Sequence, residues 1–249
     1  MIHQCYFLPG QLSHVFRAEP YAPFGLEPCV NTEITKNCPE LESADTRVAL
    51  AEYAAMLHLW RNPQLDTDNW IGFTSYRQLT KSFIQFQYKL DIEALLTRGD
   101  YLSWYLWWLG DVIHDGLVGA AAQGEVNHPG LHAFIRDMLG AFSIDIPAAY
   151  SSAAVVPFAN YWVMSKALFE RYMQWSWPIV RHALAVKHPY LSAESELGTR
   201  DNKRRAIGYF MERIFILWSQ IEHLRPVVVG PLYDYTGRAI PPHRMTTLL

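Results

Sequence analysis

Segments with strand-like and helix-like patterns of apolar residues alternate along the chain. The clearest strand is 70–77, WIGFTSYR, which is rich in aromatic and β-branched residues and begins with residues that are apolar on both faces. Strands are also predicted at 161–164 and 227–229. Helices are predicted at 43–61, 89–98, 129–141 and 202–224, and after Ser165, where the helix is expected to pass into Pro178 or to be broken near it. Segment 100–108 fits either type of element.

This alternation predicts an α/β protein with a mainly parallel central sheet and abundant helices. At roughly 100–200 residues per domain, the 249 residues correspond to one large domain, which we expect to span residues 1–234. The first 40 residues are rich in Pro, Gly, Asn and Cys and are predicted to be mostly irregular. Residues 235–249 are predicted to form a loosely ordered tail.

Composition narrows the class of protein. Half of the residues are apolar and 18% are charged, so a large core can form and global disorder is excluded. The net charge of −3 provides no general basic surface for nucleic acid, and three cysteines without a CxxC pair predict neither a disulfide framework nor a zinc ribbon. No secretory signal is recognised, and prolines and polar residues break the longest apolar stretch, 146–164. We therefore expect a cytoplasmic protein that does not bind nucleic acid.

Glu52 falls within the apolar stripe of the helix predicted at 43–61. At 100° per residue it lies about 40° from Val48, whereas Ala55 and Leu59 lie within about 20° of Val48. A carboxylate there must be paired, neutralised or placed at a water-filled site. The rule that buried charges are paired favours a structural Glu bonded to an arginine or a backbone N–H, and a ligand-binding carboxylate is the alternative.

Tyr76 and Arg77 lie at the carboxyl end of the strand predicted at 70–77. In open parallel sheets, ligands bind outside the carboxyl ends of the strands. The guanidinium fork of Arg77 matches the geometry of a diphosphate. An arginine that closes the strand with a salt bridge is an equally good interpretation.

Glu212 lies about 160° from Ile214, away from the apolar stripe of the helix predicted at 202–224. Amphipathicity alone therefore makes it a solvated residue. Phe215 and Ile216 make that far side partly apolar, which favours a helix covered on both sides. A Glu beside aromatic residues and an arginine is suited to act as a general base or to bind a sugar hydroxyl.

Metal-binding patterns are weak. His128 and His132 are four residues apart, but Pro129 places His128 ahead of the helix rather than on it. Asp111 and Asp115 are also four apart and are more typical of a solvated turn than of a divalent site. A metal hydrolase built on these residues is therefore a distant alternative.

A series of short motifs, in order over about residues 30–230, carries a resemblance to a known family. The motifs are NTEITKN at 31–37, Glu52 followed by LWRN at 59–62, IGFTSYRQ at 71–78, His128 ahead of a helix, YWVMSK at 161–166 with Phe169, Tyr172 and Trp175, and GYFMERI at 208–214. The chain resembles bacterial capsular and exopolysaccharide synthesis proteins, which are glycosyltransferases with a nucleotide-sugar-binding α/β domain (GT-A-like). It departs from them at Ser75, where the family has His, and at Gln78, where the family has a second Arg.

The resemblance implies a hexosyltransferase that moves a sugar from a nucleotide diphosphate sugar to a polysaccharide or lipid-linked glycan acceptor. It implies that the donor-binding residues are Glu52, Asn62, Tyr76, Arg77 and Arg213. It further implies Glu212 as the catalytic base and His128 and Asn160 as acceptor-binding residues. The departures at Ser75 and Gln78 support a second hypothesis, a non-catalytic glycan-binding or assembly protein with the same fold.

Many sugar-nucleotide transferases hold a metal–diphosphate complex through an Asp-x-Asp sequence, and we recognise no such motif in this chain. We therefore expect an arginine to be the counter-charge of the diphosphate, with Mn²⁺ or Mg²⁺ as the alternative. Trp104, Trp107 and Trp108 are predicted to fill the core. The alternative for them is peripheral contact with the inner face of the membrane, beside a lipid-linked acceptor.

Overall fold

The structure is a computed structural model that describes residues 1–15, 19–78, 91–103, 106–109, 112–148, 150, 155–157, 159–192, 202–229, 232–234 and 238. The strands are β1 (Ile2–Tyr6), β2 (Tyr21–Gly25), β3 (Trp70–Ser75), β4 (Tyr101–Ser103), β5 (Leu106–Trp108), β6 (Ile113–His114), β7 (Leu117–Val118), β8 (Val155–Pro157), β9 (Trp162–Ser165), β10 (Pro226–Val228) and β11 (Leu232–Asp234). The helices include α1 (Ala44–Leu50), α2 (Glu52–Arg61), α3 (Ile92–Leu96), α4 (Gly119–Asn127), α5 (Leu131–Gly140), α6 (Lys166–Ala185), α7 (Pro189–Ser192) and α8 (Asn202–Ile221).

A six-stranded sheet lies at the centre, in the order β10–β4–β9–β3–β1–β2. Five of its strands run in one direction, and β9 runs against them between β3 and β4. Two smaller sheets join β11–β5–β8 and β6–β7. The fold is therefore mixed α/β with a mainly parallel central sheet and many helices, which confirms the prediction.

The order in which strands are added to the central sheet reverses at β1. The next strand in sequence, β2, pairs with one side of β1, and β3 pairs with the other side. In open α/β sheets, such a switch point opens a crevice outside the carboxyl ends of the strands. Since β1 and β3 end at Tyr6 and Ser75, the topology places a ligand crevice beside these two residues.

An aromatic cluster around Trp162 of β9 attaches helices to one face of the sheet. Its fully buried ring lies 5.2 Å from Phe73 of β3, 5.8 Å from Tyr172 of α6 and 5.1 Å from Phe215 of α8, measured between centroids. Tyr53 of α2 packs edge-on against Tyr172 at 6.3 Å. Such pairs contribute roughly 0.5–1.5 kcal/mol each beyond the area that they bury, so the cluster fixes three helices over the sheet.

Several local predictions are confirmed. The helices expected at 89–98, 129–141 and 202–224 correspond to α3, α5 and α8, and the strands at 70–77, 161–164 and 227–229 correspond to β3, β9 and β10. Ser43 and Ser165 cap α1 and α6 by accepting hydrogen bonds from backbone N–H groups, at 3.4 and 3.2 Å. Short-range signals therefore located most of the described helices but only three of the eleven described strands.

The first 40 residues contain two strands that the sequence pattern did not predict, β1 and β2, and all five residues of β1 are buried. Two polar residues of β1 obscure its strand pattern. Their partners lie far along the chain: His3 bonds to Asp66 at 2.7 Å, and Gln4 donates to the carbonyl of Ser75 at 3.0 Å. Tertiary contacts, which a local pattern does not contain, stabilise this strand.

Pro178 does not end the helix that follows Ser165. It lies inside α6, which continues to Ala185. A proline there removes one N–H donor and crowds the preceding turn. The residues on either side of it, Trp177 and Ile179, are buried in the core, and this packing holds the helix together.

Segment 100–108 forms two short strands, β4 and β5, which belong to different sheets. The described residues do not include Trp104, the side chains of Trp107 and Trp108, or residues 235–249 apart from Arg238. The expectations for these residues therefore stay predictions. Within the described part of the chain, no helix is both long and apolar enough to cross a bilayer. Cytoplasmic location, contact with the inner membrane and the domain boundary at 234 likewise stay predictions.

The helix predicted at 43–61 is divided in two at Ala51. This residue has φ 49° and ψ −127°, in a region that side chains other than glycine rarely adopt. The angle between Glu52 and Val48 was calculated for one continuous helix and therefore does not apply. Val48, which was expected at the centre of the buried stripe, is 38% exposed. Glu52 instead opens α2.

We expect Ala51→Gly to stabilise the protein, because glycine adopts this backbone conformation without a clash. A strained residue costs about 1–3 kcal/mol, and the added freedom of glycine in the unfolded chain costs about 0.4–1 kcal/mol. The expected gain is about 1 kcal/mol, or roughly 2–4 °C in Tm by thermal unfolding. The control Ala54→Gly, inside α2, should instead lose about 1 kcal/mol. A loss in both variants would contradict strain at Ala51.

Candidate functional site

A buried pair of hydroxyl groups lies at the carboxyl edge of the sheet. The Tyr161 hydroxyl, just before β9, lies 2.6 Å from Oγ of Ser75 at the end of β3. The backbone N–H of Arg77 donates to the same Oγ at 3.3 Å, and the Gln4 amide donates to the Ser75 carbonyl. Gln4, Ser75 and Tyr161 are all at most 3% exposed. The pair therefore joins the ends of β1, β3 and β9 at the switch point.

The charges of three side chains act on the Tyr161 hydroxyl. Burial is the main reason why the pKa of Tyr161 lies well above its usual value. The negative charges of Glu52 and Glu212 raise this pKa further, whereas the hydrogen bond from Ser75 and the positive charge of Arg77 oppose the increase. Side chains from α2, the turn after β3 and α8 thus act on one hydroxyl, and Tyr161 stays protonated at physiological pH.

Tyr76 and Arg77 continue the chain from β3 as a 3-10 turn over Tyr76–Gln78. Tyr76 is half-buried and Arg77 is exposed, so both reach the rim of the carboxyl edge as predicted. The side chain of Gln78 lies outside the described residues.

Glu212 is half-buried on a helix that is covered on more than one side. The seven residues that follow it, 213–219, are all buried, although they make two full turns of α8. The interpretation of its side of the helix as a solvated face is therefore wrong. Phe215, one turn further along, packs on Trp162, which holds this part of α8 against the sheet.

Beside Glu212 lies an aromatic and cationic cluster. Arg213 is 1% exposed and donates a hydrogen bond to the amide oxygen of Gln123 in α4. The His128 ring stacks on Tyr209 with centroids 3.4 Å apart and planes 16° apart. Burial, and then the charge of Arg213, lower the pKa of His128 to about 4, so its ring is neutral at physiological pH. Because Tyr209 lies one turn before Glu212 on α8, the stacked pair adjoins this carboxylate.

Asn160 lies next to Tyr161 in the chain and is 2% exposed. Its Oδ1 atom accepts no hydrogen bond from the described residues. A buried acceptor without a donor costs about 1–3 kcal/mol, so a water or a ligand hydroxyl would be well bound there. The predicted acceptor role of Asn160 is compatible with this environment.

A shallow apolar groove of about 530 Å³ lies at the same edge of the sheet. It runs beside the segments that follow β1 and β2, and Phe7, Leu8, Cys29 and Val48 are among its lining residues. Small-molecule sites typically combine apolar concavities with a few polar groups. The residues that line this groove do not include the hydroxyl pair or the charged side chains that act on it.

Asn62 does not join these residues. It lies at the far end of α2 from Glu52, which is about 15 Å away at 1.5 Å per residue. Its side chain is fully buried and donates to the carbonyls of Lys36 and His58, while its oxygen accepts from Asn37 at 2.7 Å. Asn62 therefore ties a loop to the end of a helix, and its predicted donor-binding role stays a prediction.

The chain does contain an Asp-x-Asp sequence, Asp66–Thr67–Asp68, so the interpretation that it lacks this motif is wrong. The sequence precedes β3 and lies at the amino edge of the sheet, away from Tyr161. Asp66 contacts His3 at 2.7 Å and Lys166 at 3.1 Å. Burial would raise the pKa of Asp66, but hydrogen bonds from His3 and Lys166 outweigh burial and hold the pKa well below its usual range.

The described residues contain no group of three or more His, Cys, Asp and Glu side chains arranged to hold a metal ion. Asp111 lies outside the described residues, and Asp115 is exposed at a turn. His132 lies on α5, whereas His128 lies between helices, as the intervening proline predicts.

Sequence reasoning missed Tyr161 and Gln4. Tyr161 opens the motif YWVMSK, so a signal for it was present. Gln4 carries no local signal, because its partner Ser75 is 71 residues away.

Comparison with known proteins gives one distant likeness. No protein-family model and no curated protein match the chain. Among solved structures, the chain is similar to the WbbM bifunctional glycosyltransferase in its apo form, with 15% identity and a TM-score of 0.46, over 92% of this chain and 45% of that one. This chain thus spans less than half the length of that protein. At this level the likeness carries no argument about activity.

We expect acid to destabilise the protein through its buried histidines. Burial is the main cause of the lowered pKa values of His3, His58, His128 and His132. In the unfolded chain, His128 binds a proton below about pH 6.5, whereas in the folded protein it stays unprotonated down to about pH 4. The stability that is present above pH 6.5 is therefore lost as the pH falls from about 6.5 to about 4. The contribution of His128 is at most about 1.4 kcal/mol per pH unit.

Denaturant unfolding of wild type and His128→Gln at several pH values tests this expectation. The difference in unfolding free energy between wild type and His128→Gln should be constant above pH 7. As the pH falls further, the variant should lose less stability than the wild type. Parallel curves from pH 8 to 4.5 would show that His128 does not contribute.

Proposed function

We propose that the protein transfers a sugar from a nucleotide diphosphate sugar to a polysaccharide or lipid-linked glycan acceptor, in a GT-A-like domain. The observation that carries this proposal is the buried hydroxyl pair of Ser75 and Tyr161 at the topological switch point of the sheet, where the charges of Glu52, Arg77 and Glu212 act on Tyr161. Glycosyl transfer needs a carboxylate to take the proton of an acceptor hydroxyl and a cation to stabilise the leaving diphosphate. Both types of group are present at one edge.

The donor phosphates would lie beside Tyr76 and Arg77. Arg77 is exposed at the rim, and its fork can bind two phosphate oxygens. Glu52 would face the sugar part of the donor, since it opens α2 next to β1. In this proposal Arg77 is the counter-charge of the diphosphate. Activity that EDTA abolishes and Mn²⁺ restores would instead support the metal-dependent alternative.

Glu212 would be the base that deprotonates the acceptor hydroxyl. Its neighbour Arg213 is fixed by Gln123 and would orient it or bind phosphate. The acceptor would approach between Asn160 and the stacked rings of His128 and Tyr209. Aromatic rings next to a carboxylate suit a sugar, which has apolar ring faces and polar hydroxyls.

The alternative is a glycan-binding protein without catalytic activity. It is favoured by the environment of Ser75, whose Oγ is buried and engaged with Tyr161 rather than open to a donor. Such a protein would bind sugars at the aromatic pair and would not respond to nucleotides.

A thermal-shift panel with UDP, GDP, dTDP, ADP and CMP, each with Mn²⁺ and with EDTA, separates the two functions. At 100 times its dissociation constant, a ligand adds about 2.7 kcal/mol, which corresponds to a rise of roughly 5–10 °C for this chain length. We expect one nucleotide to give such a rise. No rise with any nucleotide, together with binding of oligosaccharides, would support the non-catalytic alternative.

We expect Glu212→Gln to reduce transfer by about 10²–10⁴-fold and to keep the nucleotide thermal shift, because the amide cannot accept the acceptor proton. The matched control is Glu170→Gln, an exposed residue of α6, which should transfer sugar at the wild-type rate. Radiolabelled donor turnover measures both. Undiminished transfer by Glu212→Gln would exclude Glu212 as the base.

A further inference from the structure

We propose that Glu125 is a positioning residue, whose carboxylate closes the turn between α4 and α5 and thereby fixes the His128 ring at the candidate site. The hydrogen bonds of this carboxylate carry the inference. The part that His128 plays in binding a sugar rests on the proposed function.

The first observation is a carboxylate that bridges two helices. Glu125 lies in the last turn of α4. Its two oxygens accept hydrogen bonds from the backbone N–H groups of Gly130, at 2.5 Å, and His132, at 3.1 Å. Gly130 immediately precedes α5, and His132 is the second residue of that helix. One side chain therefore joins the end of α4 to the start of α5, through hydrogen bonds to a charged acceptor, which are stronger than neutral ones.

The start of α5 needs an acceptor from outside the helix. The first N–H groups of a helix have no partner within it, and a Ser, Thr, Asp or Asn side chain at the position before the helix commonly accepts from one of them. In α5 that position is Gly130, which has φ 87° and no side chain to offer. Glu125 supplies the acceptor from the preceding helix, and its negative charge is favourable at the positive end of α5.

The turn that Glu125 closes contains His128. The His128 N–H donates to the carbonyl of Gly124 at 2.8 Å, and its carbonyl accepts from the N–H of Leu131 at 3.0 Å. The backbone of His128 is thus bonded to both of the helices that Glu125 joins. Because the His128 ring stacks on Tyr209 of α8, a loosened turn would move the ring relative to α8.

The consequence is a division of roles between a residue that contacts a ligand and a residue that positions it. Both oxygens of Glu125 are engaged with the backbone, whereas the His128 ring adjoins Glu212 through Tyr209. A neutral imidazole has one donor and one acceptor nitrogen, which suits a sugar hydroxyl. A ring that is already held in one orientation loses less freedom when a ligand binds.

Proton NMR titration of the histidine rings tests the inference without any substrate. The His128 signal is assigned by its loss in His128→Gln. In the wild type this ring should stay neutral from pH 8 to pH 5, because its pKa is about 4. In Glu125→Ala we expect the loosened turn to expose the ring, so that its midpoint rises by about one pH unit, toward the ordinary value near 6.5.

The direction of the shift separates positioning from a direct effect of charge. Tyr209 stacks on the His128 ring, and the positive charge of Arg213 on the same helix lowers the pKa of the ring. Loss of the negative charge of Glu125 would by itself lower this pKa further. A rise therefore reports a ring that has left its buried place beside α8.

The matched control is Asp91→Ala. Asp91 caps α3 by accepting a hydrogen bond from the N–H of Ala94 at 2.9 Å, so this variant also loses a carboxylate at the start of a helix. Both alanine variants should lower the Tm by about 2–4 °C. Only Glu125→Ala should change the His128 midpoint. Glu125→Gln keeps one acceptor oxygen and should give a smaller rise.

An unchanged His128 midpoint in Glu125→Ala would overturn the inference, and so would an equal rise in Asp91→Ala. If Glu125→Ala does not fold, the Glu125→Gln titration decides alone. The outcome is distinguishable from that of the proposed function. A rise in a protein that transfers no sugar supports the positioning role and rejects the transferase, whereas transfer with an unchanged midpoint does the reverse.

Discussion

Trp162 lies in the strand that runs against its neighbours, and its ring packs on Phe73 of the sheet and on Phe215 of α8. This contact determines the height and rotation of α8 over the sheet. Glu212 is one turn before Phe215, and Tyr161 is the residue before Trp162, so this aromatic contact holds the segments that carry the carboxylate and the hydroxyl against each other. Loss of this packing would separate the two groups even if each stayed folded locally.

The second element that the site requires is the break at Ala51. An unbroken helix from 43 to 61 would place Glu52 in mid-helix, where its backbone N–H would bond to the preceding turn. The unusual backbone angles of Ala51 instead start a new helix at Glu52. Its carboxylate then stands at the positive end of α2, next to β1 and β9. Strain of this kind persists where the surrounding packing imposes it, and Tyr53, the next residue, is fully buried in the aromatic cluster.

The parts of the fold that local chemistry encodes could be predicted from the sequence. A run of aromatic and β-branched residues predicted β3, Ser165 located the start of α6, and the carboxyl end of β3 indicated Tyr76 and Arg77. What was missed depends on distant partners. β1 appears irregular until His3 and Gln4 meet residues more than 60 positions away, and the break at Ala51 results from packing rather than from a local signal.

The two edges of the sheet show why a motif needs its place in the fold to be interpreted. Asp66–Thr67–Asp68 has the spacing of a metal–diphosphate ligand, yet Asp66 is bonded to His3 and Lys166 at the amino edge, where it joins β1, β3 and α6. At the carboxyl edge, by contrast, the acids Glu52 and Glu212 have no such spacing in sequence and converge only through folding. The amino edge uses its charges to hold strands together. At the carboxyl edge, two half-buried acids and the exposed Arg77 act on one hydroxyl, and for that reason the chemistry is expected there.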